Sequence, residues 1–576
     1  MRIAWFGLAA AAAVPVVSSC GTLGLAGVAA LAAWSDSKLF PPKLTRFRIG
    51  GTIHGLSGSV TLQLNEDEVL TRSKNGRFSF ESPLEDQSPF SVRVTGLPSE
   101  QSCTLTSESG VVNGKNVDSV QVNCTARTYL IGGTVTGLTG QLDLRINNHE
   151  TLSITKNGSF LFQTTLLKGQ TYEVTEAKHP QGQLCSISGG RGSVKGQVDT
   201  IAVQCDPYLT LGNSQAAAWV IGQEHFKIPP GSTDDTVGPA RLKSPWGNPA
   251  FAGDRLYVPD RGAHRILVFS HLPKDNGVAA EFVLGQPDFQ STGSHSGRDG
   301  FSSPESLSSD GVRLAVADKG NHRVLLYEQL PTEGSSRPTM VLGQLDFDTP
   351  SSAECNANSL GGPEGVFIGH GRLIVADSLH NRVLIWDLGS LENGKGADRV
   401  LGQTSFTTCA ANDSDQDGRV DTRSASTLNL PGSVWTDGKR LIVADSGNNR
   451  VLIWEEFPTR DGEDADIVLG ASNFTSDSSG EVTSGQLFTP KAVTSAGEQV
   501  FVADHGNNRV LVWNQFPRGS GASADQVLGQ PGFTSRAQLS PPTSQSLYGP
   551  SGVLVAVPYL IVTDSRNKRL LMFESL

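Results

Sequence analysis

The segment DSDQDGRVD, residues 413–421, sets Asp413, Asp415 and Asp417 at alternate positions, follows them with Gly418 and Arg419, and ends on Asp421. Carboxylates spaced in this way converge when the chain curls. Gly418 permits the sharp bend, and Arg419 can offer its backbone carbonyl. Calcium, a hard cation, takes about six to eight oxygen ligands, so this is the best-defined candidate site in the chain. A solvated acidic loop is the plainer reading of the same residues, and the sequence leaves both open.

The spacing around that segment shows that it interrupts a regular array. VADSGNNRVLIW, residues 443–454, has five relatives: VPDRGAHRILVF from Val258, VADKGNHRVLLY from Val316, VADSLHNRVLIW from Val375, VADHGNNRVLVW from Val502 and VTDSRNKRLLMF from Val562. Each holds an Asp and, five residues on, an Arg: Asp260 and Arg265, Asp318 and Arg323, Asp377 and Arg382, Asp445 and Arg450, Asp504 and Arg509, Asp564 and Arg569. Successive Asp residues are 58, 59, 68, 59 and 60 apart, and the long interval exceeds its neighbours by 68 − 59 = 9, the length of the acidic segment. A residue needed once at an active site would not recur in every copy, so we read the Asp–Arg pair as part of a tight turn between apolar strands rather than as catalytic machinery. Gly262, Gly320, Gly447 and Gly506 are expected to supply positive φ there. The third and sixth turns, with Leu379 and Arg566 at that position, are expected to differ.

A second motif marks another strand: VIGQEHF from Val220, VLGQPDF from Val283, VLGQLDF from Val341, VLGQTSF from Val400, VLGASNF from Val468 and VLGQPGF from Val527. Its Gly falls 25 residues after the Asp in five cases, and the sixth would stand at 564 + 25 = 589, beyond Leu576. The surplus copy lies upstream of the first repeat instead. A strand at 219–226 is therefore expected to complete the last sheet and remove the exposed edge of an open array. Pro245, Pro304, Pro363, Pro431, Pro490 and Pro550, each 14 or 15 residues before an Asp, are expected to open the innermost strands. Four strands in each of six repeats give an all-β fold, a six-bladed β-propeller over 215–576.

The matching residues, P-x-G-V and then strands such as RLIVADSGNNRVLIW from Arg440, resemble the NHL repeat family. The resemblance implies the propeller and little about activity, because NHL propellers include binding platforms, RNA-binding domains and an amidating lyase with histidine-held zinc in its channel. Here His264, His322 and His380 fall in hairpin turns, and no His follows the proline of an inner strand. The proline-adjacent residues are Trp246, Glu305, Glu364, Gly432, Lys491 and Ser551. Of these, Trp246, Glu305, Glu364 and Lys491 are candidates for the channel mouth, where Glu305 and Glu364 either hold a cation or are solvated or locally paired. The acidic segment resembles the first nine positions of an EF-hand type loop, but Ser424 stands at the twelfth, where a bidentate Glu belongs.

Upstream, residues 47–125 and 129–206 repeat each other at an offset of 82: IGGTIHGLSG from Ile49 matches IGGTVTGLTG from Ile131, KNGRFSF from Lys74 matches KNGSFLF from Lys156, and Cys103 matches Cys185. Alternation as in Val60, Leu62 and Leu64, with KNG as hairpin chemistry, predicts two small β-sandwich modules. They resemble the immunoglobulin-like repeats of exported bacterial proteins, which act as spacers or adhesive units. With Cys20 set aside, six cysteines remain. Cys103 with Cys124 and Cys185 with Cys205 are the natural bridges within the modules. Cys355 and Cys409, in neighbouring long loops, form either a third bridge or a pair of free thiols.

Arg2 followed by IAWFGLAAAAAVPVV reads as an export signal over 1–20. Val17, Ser18, Ser19 and Cys20 resemble the bacterial lipobox, which implies a lipidated Cys20, and Gly21 after it fits outer-membrane sorting. An uncleaved membrane anchor is the other reading, because the chain stays apolar into the 21–46 linker. Lys plus Arg number 46 against 57 Asp plus Glu, a balance of 46 − 57 = −11, and no basic run tracks a phosphate backbone, so nucleic acid is not an expected partner. The sequence leads to an exported, lipid-anchored envelope protein that reaches the membrane through its N-terminal lipid or anchor. Its propeller would be a non-catalytic platform for a protein or glycan partner on the loop-rich face, with calcium as the expected cofactor. The alternative is a propeller lyase or hydrolase with a metal in the channel.

Overall fold

The computed structural model describes residues 44–229, 236–348, 354–476 and 480–576. The export signal, Cys20 and most of the 21–46 linker lie outside the described residues. The fold is all-β, built from four-stranded, mostly antiparallel sheets. Among the described residues no helix is long and apolar enough to cross a membrane. The chain divides into two compact units after Arg127.

In the first unit, Gly76–Ser79, Ile49–His54, Val117–Ala126 and Gln101–Thr106 form one sheet in that order. Glu68–Arg72, Val60–Leu64, Pro89–Gly96 and Ser109–Val111 form another. Val60, Leu62 and Leu64 are buried while Thr61 and Gln63 are half-buried, so one face of that sheet meets a core of Ile49, Ile53, Phe78, Phe80, Val120 and Val122. Cys103 and Cys124 lie opposite each other on adjacent strands and are bridged.

The second unit opens with the same strand order in two sheets, bridged at Cys185 and Cys205. Just past these sheets the chain is held by the strand Gln499–Asp504. Leu209 N–H donates to Gln499 Oε1 at 2.6 Å, and Gln499 Nε2 returns to Leu209 O at 2.9 Å.

Among the described residues, six further four-stranded sheets complete the unit, each running from an innermost to an outermost strand. The fourth is typical, with Pro431–Thr436, Leu441–Asp445, Arg450–Trp454 and Ile467–Leu469. The sixth takes Pro550–Ala556, Tyr559–Asp564 and Arg569–Glu574 from the end of the chain and Trp219–Ile221 from far upstream. There Trp219, Val220 and Ile221 pair with Met572, Leu571 and Leu570. Gln223 Nε2 donates to Asn567 O and Arg569 Nη1 to Phe226 O, both at 2.6 Å. In the first sheet Phe289 O accepts from Arg265 Nη1 in the same way, and Gln286 donates to His264 O, one place further along its turn. The residues just before the first sheet's inner strand also meet the inner strand of the sixth. Val553 N–H donates to Asn248 Oδ1 at 2.9 Å, and Gly552 lies so close to Gly247 O that a Cβ would overlap it.

Five innermost strands open at the expected proline; the first opens at Ala250 rather than Pro245. Gly247 has a φ of +75°, and Pro249 offers no N–H, so the ladder cannot run through this stretch. Gly247 N–H donates instead to Ser551 Oγ at 3.0 Å.

The hairpin turns also depart from expectation. All six share one form, a three-residue 3₁₀ turn after the Asp followed by a left-handed residue: His264, His322, Asn381, Asn449, Asn508 or Lys568, with φ between 51° and 56°. The glycines do not supply the positive φ, and the turns bearing Leu379 and Arg566 do not differ. The glycine position instead packs against the loop before the proline. Gly447 N–H donates to Asn429 O and Gly506 N–H to Phe488 O, each at 2.8 Å, and Arg566 N–H makes the same bond to Tyr548 O at 3.2 Å.

Every turn Asp and its Arg are fully buried as an ion pair. Asp445 Oδ1 accepts from Asn429 N–H, and Oδ2 accepts from Arg450 Nε and Asn448 Nδ2, all at 2.7 Å. The other Arg450 nitrogens donate to Phe474 O, Ser424 O and Thr427 O at 2.6, 2.9 and 2.8 Å. The pair thus ties its hairpin to the loops on both sides.

Candidate functional site

Proline and Asp face each other across the two inner strands, as Pro304 faces Asp318 and Pro363 faces Asp377. The residues that come after them therefore gather at one end of the sheets. Glu305 Oε1 lies 3.4 Å from Arg261 Nε and 3.3 Å from Lys319 Nζ. Lys319 also pairs with Glu364 Oε1 at 2.5 Å, and Lys491 Nζ reaches Glu364 Oε2 at 3.0 Å. Lys491 belongs to the fifth sheet and Glu364 to the third. Gly432 of the fourth packs closely beside them, since a Cβ there would stand 2.7 Å from Ser446 Oγ and 2.9 Å from Lys491 O. Trp246 lies 5.3 Å from the His505 ring, with the Arg261 guanidinium 4.9 Å above it.

All four sequence candidates, Trp246, Glu305, Glu364 and Lys491, thus belong to one connected cluster. The partners that sequence reasoning missed, Arg261, Lys319 and His505, each come directly after a turn Asp. That position reads Arg, Lys, Ser, Ser, His, Ser through the repeats while its neighbours barely change. Such a variable place in a fixed frame was the available signal.

Burial, with the Glu364 charge, pushes Glu305 up to about 7, against the pull of Lys319 and Arg261. Burial would also raise Glu364, but Lys491 and Lys319 outweigh it and hold this carboxyl below its ordinary range. Burial and then Arg566 push His505 down to about 4, so its ring is neutral at pH 7. Three cations face two carboxylates, a balance of 3 − 2 = +1, which does not favour a metal cation.

The folded Glu305 value lies above the ordinary 4.5. Its stabilising contribution is therefore complete below about pH 4.5 and is lost as pH rises through about 7. At about 1.4 kcal/mol per pH unit, ionisation costs about 3 kcal/mol. Glu305→Gln, neutral at every pH, should gain about that much on the parent between about pH 4.5 and 8 in urea denaturation. A difference that does not change with pH contradicts this.

The opposite end of the inner strands lines a cavity of 250 Å³ in which Phe251, Phe367 and Trp435 stand beside Ser308, Thr494 and Ser495. It holds no ionisable group.

The acidic segment lies between the outer strand of the third sheet, Arg399–Leu401, and the inner strand of the fourth. Asp413, Asp415 and Asp421 bring carboxylate oxygens within 4.8 Å of one another. Asp417 does not join them: its Oδ1 accepts from Arg419 N–H at 2.9 Å, and its other oxygen lies 3.9 Å from Arg419 Nε. Hydrogen bonds from the Ser414 hydroxyl and backbone hold the Asp421 carboxyl below its ordinary range. Beside this segment, Cys355 and Cys409 are bridged. His380 lies within 4.8 Å of both sulfurs, but neither is a free thiolate, and His380 Nδ1 is engaged by Asp377 Oδ2 at 2.9 Å.

No protein-family model matches the chain, and no curated protein matches it. Among solved structures, it is similar to a nidogen/laminin complex at 18% identity, with 47% of this chain and 75% of that one covered and a TM-score of 0.28. A structural genomics protein of unknown function from Bacteroides thetaiotaomicron VPI-5482 matches at 13% identity, with 75% and 90% covered and a TM-score of 0.39. The computationally designed Ika8 protein matches at 10% identity, with 77% and 98% covered and a TM-score of 0.29. Likeness at this level carries no argument about activity.

Proposed function

We propose that the chain is an exported, lipid-anchored envelope protein in which two immunoglobulin-like modules carry a six-bladed NHL-type propeller. The propeller serves as a non-catalytic platform for a protein or glycan partner. One observation carries this reading: the charged side chains at the mouth are tied to one another in the series Arg261, Glu305, Lys319, Glu364 and Lys491 rather than left open around a free space. Glu364 is held between two lysines and is not free to act as a base. Glu305, raised to about 7 and with neither oxygen hydrogen-bonded, is the carboxyl on which the enzyme reading would depend, and Glu305→Gln removes it. On the same side, the long loops are held by the Cys355–Cys409 bridge and by the Arg donors of the hairpins, the rigid support a recognition surface needs. Three disulfides also support an oxidising compartment.

The test is capture from envelope extract and on a glycan array by the full mature chain, compared with a chain whose 407–425 loop is shortened to the length found in the other repeats. Capture that depends on this loop supports the platform. Turnover of an envelope substrate that Glu305→Gln abolishes would support the enzyme reading instead.

A further inference from the structure

We propose that residues 413–421 bind one calcium ion, a property that does not depend on the identity of any partner. Three carboxylates, from Asp413, Asp415 and Asp421, converge within 4.8 Å. Like charges at this range repel unless a cation lies between them. No ion pair joins any of the three to a lysine, arginine or histidine among the described residues; Arg419 lies against Asp417, and Arg423 Nη1 donates to Asn448 O.

Asp413 is the decisive residue. It is fully buried, and its Oδ2 accepts from Gly418 N–H at 3.0 Å, whereas its Oδ1 has no hydrogen-bond partner. A buried carboxylate oxygen with neither donor nor countercharge is strongly unfavourable. A bound cation resolves both the orphaned oxygen and the mutual repulsion.

The loop is shaped in advance for that cation. Gly418 takes a φ of +84° at the bend. Asp421 Oδ2 accepts from Ser414 N–H and Oγ at 3.0 and 2.8 Å. The Gln416 amide spans the loop, with Nε2 donating to Asp413 O and Oε1 accepting from Thr404 N–H at 3.0 Å and Thr408 Oγ1 at 2.8 Å. Asn412 and Asn448 exchange reciprocal amide bonds at 3.0 and 2.7 Å, which fasten the loop to the turn of the fourth sheet. The three converging groups are all carboxylates, which selects a hard ion over zinc or copper. A site with three side-chain carboxylates on an irregular loop suits calcium, with its flexible coordination, better than magnesium, which demands a near-ideal octahedron.

The scissile position for trypsin is Arg419, whose side chain is 84% exposed. If cleavage requires the loop to open, calcium slows it by the factor 1 + [Ca]/Kd. With a Kd of about 0.1–1 mM, usual for extracellular modules, about 10 mM calcium should slow cleavage after Arg419 about 10- to 100-fold in the full chain. Calorimetric titration should show one ion per chain. Asp415→Asn/Asp421→Asn, at residues outside the core, should abolish both effects without lowering the calcium-free melting temperature, because it removes the repulsion among the three carboxylates. No protection at about 10 mM calcium, or equal protection in the double variant, overturns the proposal. Equal protection by magnesium at the same concentration overturns the choice of ion.

Discussion

A chain lacking residues 219–226 should melt about 10–20 °C below the parent and associate as it does so. The deletion strips the outer strand from the sixth sheet, where Val220 and Ile221 are fully buried, Val220 against Leu571 and Phe573 and Ile221 against Leu570 and Met572. Each such side chain contributes about 1.5–3 kcal/mol. Arg569 Nη1 also loses Phe226 O, and Asn567 O loses Gln223. Together the loss is about 5 kcal/mol, and each kcal/mol moves the midpoint by about 2–4 °C in a domain of this class. Arg569–Glu574 becomes an apolar edge open to other chains. Scanning calorimetry with light scattering reads both effects. A midpoint within about 2 °C of the parent contradicts the closure.

Arg450→Met should destabilise the array by about 3–5 kcal/mol, the usual loss when one partner of a buried ion pair is removed. The substitution keeps much of the apolar volume but leaves the Asp445 carboxylate buried without its countercharge and frees three loop carbonyls. Arg450→Lys should recover little, because a single ammonium cannot reach Asp445 Oδ2 and three carbonyls in separate directions. Asp445→Asn/Arg450→Met should recover part of the loss by removing the stranded charge. Denaturant titrations of the three variants give the ranking. A parent-like Arg450→Met would show that the pair is not structural.

The regular parts of the fold were legible because each repeat restates the same physical demand. The buried Asp–Arg pair needs both residues in every hairpin, so their spacing, with that of the VLGQ strand, marks strand order even where the chain leaves its sequence neighbour to pair far upstream. The Gln of that strand has a structural use as well. Gln286, Gln344, Gln403 and Gln530 each donate to the carbonyl of the left-handed turn residue or of its neighbour, which a motif alone does not reveal. The role of the turn glycines was not legible, because composition cannot distinguish a glycine that needs positive φ from one that needs a close neighbour. Asn449 takes the left-handed conformation and Gly447 takes the contact.

The site was legible only in part. Trp246, Glu305, Glu364 and Lys491 were found by their place after the prolines. Their neutralisers sit after the Asp residues of adjacent sheets, and no local pattern relates Lys491 to Glu364 across 127 residues. In the acidic segment Asp413, Asp415 and Asp421 converge, whereas Asp417, the third member of the alternation, turns to the N–H of Arg419.

The central claim is that the sixth sheet is completed by a strand from upstream, and cysteine cross-linking tests it most directly. Val220 and Leu571 are opposite each other and face the same core, whereas Leu570 faces the other side. Val220→Cys/Leu571→Cys should yield an intrachain 220–571 disulfide, read by mass spectrometry of a non-reduced digest, and Val220→Cys/Leu570→Cys should not. Free thiols in the first variant, or links only between chains, would contradict the account.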